Sequence, residues 1–158
     1  MRKIWATVLG GVVAGTIDHV SAIASLVPQG ISALHINQYL ASAVIGPKAA
    51  FSGGWLTGAL GVGVQQVLTV TMAGVFVLAA QRYPALLRKP WVSGVVYGVL
   101  IYVVMNYVAV PLSAAPDWKP PAGWVVVGSL LSHCFYVGVP IAFIARAFLR
   151  YEGAAQTA

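Results

Sequence analysis

The sequence predicts an all-α integral membrane protein: a four-transmembrane-helix bundle with one short interfacial helix between helices 1 and 2. The composition is 59% hydrophobic and only 8% charged, whereas a soluble domain carries about 25% charged residues. Four apolar stretches reach the roughly 20 residues that a membrane helix needs. Basic residues fall at the ends of these stretches, as is typical of membrane proteins. We therefore expect a single transmembrane domain covering residues 1–158.

The apolar stretches define four predicted spans, most of them with tryptophan near an end, where the indole favours the membrane interface. They cover Ile4–Val27, Trp55–Gln81, Trp91–Leu112 and Trp124–Phe148. The segment Ile31–Gly46 is too short and too polar to span, and its apolar residues recur towards one face. We predict a short interfacial helix there; the alternative is a loop with one helical turn.

The basic residues predict the orientation of the chain. Seven lie on one side of the four spans, against Lys48 and Lys119 on the other: Arg2, Lys3, Arg82, Arg88, Lys89, Arg146 and Arg150. The positive-inside rule then places both termini in the cytoplasm. A rival interpretation treats the N-terminus as a secretory signal ending at Ala22-Ile23-Ala24. The Gly11-x-x-x-Gly15 motif favours a permanent, packed helix instead.

Each span carries one strong polar residue at a similar depth: Asp18, Gln65, Asn106 and His133. With a rise of about 1.5 Å per residue, all four lie roughly 3 to 7 Å outward of their helix midpoints. We predict a buried polar layer, which Tyr102, Ser129 and Tyr136 could complete. An ionisable residue at this depth indicates function, and the alternative is that the layer only joins helices. Asp18 and His133 are expected within direct or water-bridged reach.

Two further features bear on helix packing. Small residues let membrane helices approach closely, and we expect the close contacts at five glycines: Gly11, Gly15, Gly58, Gly94 and Gly98. Pro140 lacks a backbone N–H, so it frees the carbonyl of Tyr136 and predicts a kink in the fourth span.

Four short motifs carry a family resemblance: Gly15-Thr16-Ile17-Asp18, Tyr102-x-x-Met105-Asn106, Val110-Pro111-Leu112-Ser113, and His133 with Gly138-x-Pro140. On these residues the chain resembles a group of small, uncharacterised four-helix proteins of the bacterial inner membrane, of the YagU-like kind. The resemblance covers most of the chain and implies four helices in the inner membrane, but little about activity. Relatives often carry histidine in the second helix, where this chain has Gln65. That difference weakens any metal or haem role shared with them.

The sequence favours some classes of function over others. The sequence has no basic stripe with interleaved aromatic residues, which is the pattern that would indicate nucleic-acid binding. Cys134 is the only cysteine, so a metal site built from several thiolates is excluded. The sequence offers no combination of nucleophile, base and orienting residue, so we do not expect an enzyme. The expected partners are the lipid bilayer and either further copies of the chain or other membrane subunits.

Three hypotheses remain. The first is a protein that handles a proton or small solute at the polar layer. The second is a non-catalytic accessory subunit of a larger membrane complex. The third is a haem or copper protein that uses His133 with His19, although bis-histidine haem needs both imidazoles facing one cavity. The sequence assigns no cofactor.

Overall fold

The computed structural model describes residues 1–115 and 123–155, with side chains described as far as Leu149. All regular structure in this part of the chain is helical. The α-helices are α1 (Arg2–Leu26), α2 (Ala33–Ile45), α3 (Pro47–Ser52), α4 (Gly54–Arg82), α5 (Pro90–Val104), α6 (Val110–Leu112), α7 (Trp124–Ser132) and α8 (Val139–Ala155). Short 3₁₀ turns cover Val27–Gln29 and Pro84–Leu87, and π turns cover Met105–Ala109 and His133–Gly138.

Four helical stretches are long and apolar enough to cross a membrane. We call them the first to fourth spans: Arg2–Gln29, Gly54–Arg82, Pro90–Leu112 and Trp124–Leu149. Every predicted end lies within two residues of the observed one, so the prediction of four long apolar helices is confirmed. The chain has the character of a multi-pass membrane protein. Of the basic residues used for orientation, Lys119 and the side chain of Arg150 lie outside the described residues.

The spans pack as a bundle in the circular order second, first, fourth, third. α1 lies between α4 and the fourth span, and α5 packs along the other side of the fourth span. Tyr97 connects the third span to the second. Its hydroxyl donates to the carbonyl of Met72 at 2.7 Å, and its ring packs against Phe76 with centroids 5.1 Å apart.

Glycines allow the closest approaches between spans. A Cβ on Gly11 would collide with the backbone of Val70, and one on Gly98 would collide with the backbone of Cys134. Gly94 lies equally close to Val139, and Gly15 to the side chain of Thr69. Any larger residue at these positions must push two helices apart. The fifth predicted glycine differs: Gly58 faces Leu34 of α2 and no other span.

The segment between the first two spans folds into two short helices. Ser32 begins α2 by accepting a hydrogen bond from the His35 amide at 3.1 Å, and Gly46 ends it at a φ of 76°. The predicted helix therefore exists, with bounds slightly inside those expected. α3 follows at once and was not predicted, because a six-residue helix is too short to show a periodic pattern. The ring of Phe51 in α3 stacks on that of His35, with centroids 4.8 Å apart.

The apolar core occupies the half of the bundle that contains the predicted cytoplasmic ends of the spans. Its fully buried members come from three spans: Ala6, Ala14, Ala73, Phe76, Val77, Ala80, Ile141, Ala142 and Ala145. Small alanines alternate with a few large side chains, which lets the helices pack closely. The opposite half, covered by α2, contains cavities.

Both π turns directly precede a proline. Val139 donates its N–H to the carbonyl of Cys134, five residues back, immediately before Pro140. Val110 donates to Met105 in the same way before Pro111. A proline cannot bond the carbonyl four residues before it, and the π turn is the local arrangement that accommodates this. Each π turn adds one residue to a helical turn, so it rotates the segment before it by about 100° relative to the segment after it.

Candidate functional site at Asp18

Asp18 is the point where three spans meet. It is half-buried in α1. Its Oδ2 accepts a hydrogen bond from Nε2 of Gln65 in α4 at 2.9 Å. Its Oδ1 accepts one from the hydroxyl of Ser132 at the end of α7, at 2.6 Å. The structure thus brings the acid and Gln65 together, as the sequence predicted, and adds Ser132, which the sequence analysis did not place at the site.

Three cavities share Asp18 as a lining residue. The first, of about 380 Å³, lies between α1, α2 and α4. The second, of about 800 Å³, is a groove between the end of α1 and the outer part of the fourth span. The third is an inner cavity of about 50 Å³, enclosed by residues of all four spans. Asp18 therefore borders empty space on several sides, in the same half of the bundle as the C-terminal end of α1.

His133 lies beside this site and does not bond to Asp18. Its Nδ1 is 2.7 Å from the carbonyl oxygen of Ser129. Because a carbonyl only accepts, Nδ1 carries the hydrogen, and Nε2 is the nitrogen that remains for other partners. The ring packs edge-on against buried Tyr102, with centroids 5.7 Å apart. His133 still lines both the groove and the inner cavity together with Asp18.

Of the direct or water-bridged reach that the sequence predicts for Asp18 and His133, the direct hydrogen bond is not formed. Gln65 and Ser132 occupy the two carboxylate oxygens instead. Adjacent residues of a helix point about 100° apart, and Ser132, directly before the π turn that begins at His133, is the one that faces the carboxylate.

Asn106 does not join the other three members of the predicted layer. Its side-chain amide donates to the carbonyl of Tyr102 in its own span at 3.0 Å, and it lines none of the three cavities. It lies within the π turn Met105–Ala109, whose extra residue changes the face on which a side chain lies. The observed layer is therefore Asp18, Gln65, Ser132 and His133.

The remaining predicted residues have separate surroundings. Ser129 supplies the carbonyl that orients His133, and Tyr136 is exposed on the groove. His19 lines the first cavity together with His35, whereas His133 lines the other two. His19 and His133 thus face different cavities, which disfavours bis-histidine haem. Among the described residues, no three His, Cys, Asp or Glu side chains cluster to hold a metal.

The charge of the site is carried by one carboxyl group. In the part of the chain that the structure describes, no lysine or arginine lines any of the three cavities, and the two groups bonded to Asp18 are neutral donors. An ionised carboxylate away from water is costly unless it is paired. The arrangement therefore suits a cationic hydrogen-bond donor at this point.

Comparison with known proteins gives no match to any family model, curated protein or solved structure. The YagU-like resemblance stays a prediction.

Proposed function

We propose that this chain is a small polytopic protein of the bacterial inner membrane, with both termini in the cytoplasm, that binds a proton or a small polar solute at Asp18. One observation carries the proposal. The only acid within the four spans is held by neutral donors from two other spans and lines three cavities. An ionisable residue at membrane depth is retained at a cost in stability, which supports a role in binding.

The distribution of empty space supports uptake and release on one side. The first cavity and the groove both lie in the half of the bundle that contains the C-terminal end of α1. The other half of the bundle is filled by tightly packed apolar residues such as Phe76 and Ile141. A proton needs polar groups or water to cross that half. In the orientation that we propose, a single chain therefore exchanges its ligand with the periplasmic side.

Infrared difference spectroscopy tests the proposal directly. Purified protein in liposomes is compared between neutral and acidic buffer, and the carbonyl stretching band of a protonated carboxylic acid is recorded. The chain has only three acids, Asp18, Asp117 and Glu152, so single substitutions can assign the band. We expect a component that is lost in Asp18→Asn and kept in Asp117→Asn, a control position outside the described residues.

A band unchanged by Asp18→Asn would contradict proton uptake at this site. Binding of a solute without proton exchange would instead change that spectrum when the solute is added at constant pH. If neither change occurs, and the chain co-purifies from membranes with fixed amounts of other subunits, the accessory-subunit hypothesis replaces this one.

A further inference from the structure

The groove between α1 and α7 offers mainly hydrogen-bond acceptors. The Ser21 hydroxyl donates to the carbonyl of Asp18 at 2.8 Å, and the Ser25 hydroxyl donates to the carbonyl of Ser21 at 2.7 Å. The Ser132 hydroxyl donates to the Asp18 carboxylate. Because each of these hydrogens is already used, the three hydroxyl oxygens have only lone pairs left for a ligand.

The carboxylate at the end of the groove keeps free acceptor capacity. Each oxygen of an ionised carboxylate offers about two lone-pair sites, and Gln65 and Ser132 use one on each oxygen of Asp18. At the mouth of the groove, Gln29 donates one amide N–H to the carbonyl of Ser25 at 2.7 Å, which leaves its oxygen as another acceptor and its second N–H as a donor. Because the described lining residues include no lysine or arginine, the complementary ligand carries positive charge and N–H donors.

The other walls of the groove are apolar, which narrows the class of cation. Ala22 and Leu26 line one side, and Val125, Leu131 and Phe135 line the other. The volume of about 800 Å³ lies within the range of roughly 300–1,000 Å³ that is usual for small-molecule sites. Calcium requires 6–8 oxygen ligands, whereas an ammonium group has three N–H donors to satisfy. One carboxylate with flanking hydroxyls suits the ammonium group.

We propose that the groove binds a small protonated aliphatic amine, with its ammonium group on Asp18 and its hydrocarbon chain along the apolar walls. This inference rests on the proposed function and names the class of solute. The hydroxyls of Ser129 and Tyr136 can accept as well as donate, so they are compatible with an ammonium ligand.

The first experiment titrates n-butylammonium into the full-length protein in detergent micelles and follows binding by calorimetry and saturation-transfer NMR. Butyrate and n-butanol serve as matched probes that lack the positive charge. We expect saturable binding of butylammonium, weaker binding of butanol and none of butyrate. Equal binding of butanol and butylammonium would overturn the proposal, because the groove would then be a simple apolar site. Full competition by equimolar sodium or potassium chloride would overturn it in favour of an alkali-metal site.

Two variants place the ligand in the groove. Gly128 lines the groove and has no atom within 4 Å of an added Cβ, so the Cβ of Gly128→Leu causes no collision and we expect its side chain to extend into the groove. Gly63 has the same free space but lines none of the three cavities, so Gly63→Leu is the matched control. We expect Gly128→Leu and Asp18→Asn each to weaken butylammonium binding at least about tenfold, through steric exclusion and loss of a charge-assisted contact. Gly63→Leu should bind as the wild type does, and equal loss in both glycine variants would overturn the location.

The result is separable from the test of the proposed function. If Asp18 exchanges a proton in the infrared experiment and butylammonium does not bind, the amine inference fails and the proposed function stands. If Asp18 shows no protonation change and no solute-induced change, the proposed function fails independently of the choice of amine.

Discussion

Oδ2 of Asp18 lies 2.9 Å from Nε2 of Gln65, and this bond connects two spans at the level where the cavities meet. Together with the bond from Ser132, it makes one carboxyl group the polar link between the first, second and fourth spans. Hydrogen bonds between membrane helices contribute about 0.6 kcal/mol on average, with a maximum near 1.7. The linkage is therefore a modest part of the stability of the bundle, and its main consequence is to fix the carboxylate in place.

The bond from Ser132 predicts a measurable loss of stability. Ser132→Ala leaves Oδ1 of Asp18 without its donor, so we expect the free energy of unfolding to fall by about 1 kcal/mol. Unfolding by dodecyl sulfate in mixed micelles, followed by circular dichroism, measures this. Ser52→Ala is the control, because the Ser52 hydroxyl donates at 2.9 Å to the carbonyl of Lys48 in its own helix and is exposed. A loss of unfolding free energy no larger than that of the control would show that the bond between Ser132 and Asp18 does not stabilise the protein.

A second prediction concerns the contact between the third and fourth spans. A Cβ on Gly98 would collide with the backbone of Cys134. We expect Gly98→Ala to lower the free energy of unfolding by about 1–3 kcal/mol, the usual cost of overpacking. Gly63→Ala has open space around the new methyl group, and the better helix propensity of alanine should raise the stability by up to about 1 kcal/mol. Effects of the same sign and size in both variants would mean that Gly98 does not lie in a close interface.

Reporter fusions test the proposed orientation. The described basic residues at the N-terminus and between the second and third spans lie at one end of the bundle: Arg2, Lys3, Arg82, Arg88 and Lys89. By the positive-inside rule, a fusion after Arg88 should report the cytoplasm. Fusions after Gly46 and after Pro116, the latter outside the described residues, should report the periplasm. Alkaline phosphatase and green fluorescent protein give opposite signals on the two sides, and an inverted pattern would refute the charge argument.

The long helices were predictable because their signal is strong and local. In a chain with so little charge, a run of about 20 apolar residues has few structural alternatives to a membrane helix. The observed spans begin or end at residues that mark such boundaries in the sequence, namely Gly54, Pro90 and Arg82. The contacts of α2 with the bundle were not predictable. They depend on backbone packing, such as that between Gly61 and the carbonyl of Asn37, which leaves no periodic pattern in the sequence.

The depth of the polar residues was predictable from the sequence, whereas the direction in which each side chain points was not. Depth follows from counting residues, so Asp18, Gln65 and His133 were expected at one level, and the structure brings them around shared cavities. Predicting the direction in which each side chain points requires the assumption that the helix is straight. The π turns rotate the helix locally, which leaves Asn106 bonded within its own span and places Ser132 on the carboxylate. Pro140, which follows the second turn, was the available signal, and it predicted a kink in the fourth span but not the rotation.

The last prediction concerns the energetic coupling between Asp18 and His133, which share no direct hydrogen bond. Both residues line the inner cavity of about 50 Å³ with Gln65 and Thr69. A buried water needs about 10–15 Å³ of such volume and 2–4 polar partners, and these four side chains meet both requirements. We predict that one water in this cavity bridges the carboxylate and Nε2 of the imidazole, since Nδ1 is already bonded to Ser129.

A pair of double-mutant cycles measures that bridge. The first combines Asp18→Asn with His133→Gln, and the second combines Asp18→Asn with Ser132→Ala, both read as the free energy of unfolding in micelles. Coupled residues show interaction energies of about 0.5–3 kcal/mol. We expect the Asp18–His133 energy near the lower end of that range and below the Asp18–Ser132 energy, because a bridging water transmits less than a direct bond. Additive effects in the first cycle would show that the imidazole and the carboxylate are independent, and His133 would then act only through its contacts with Ser129 and Tyr102.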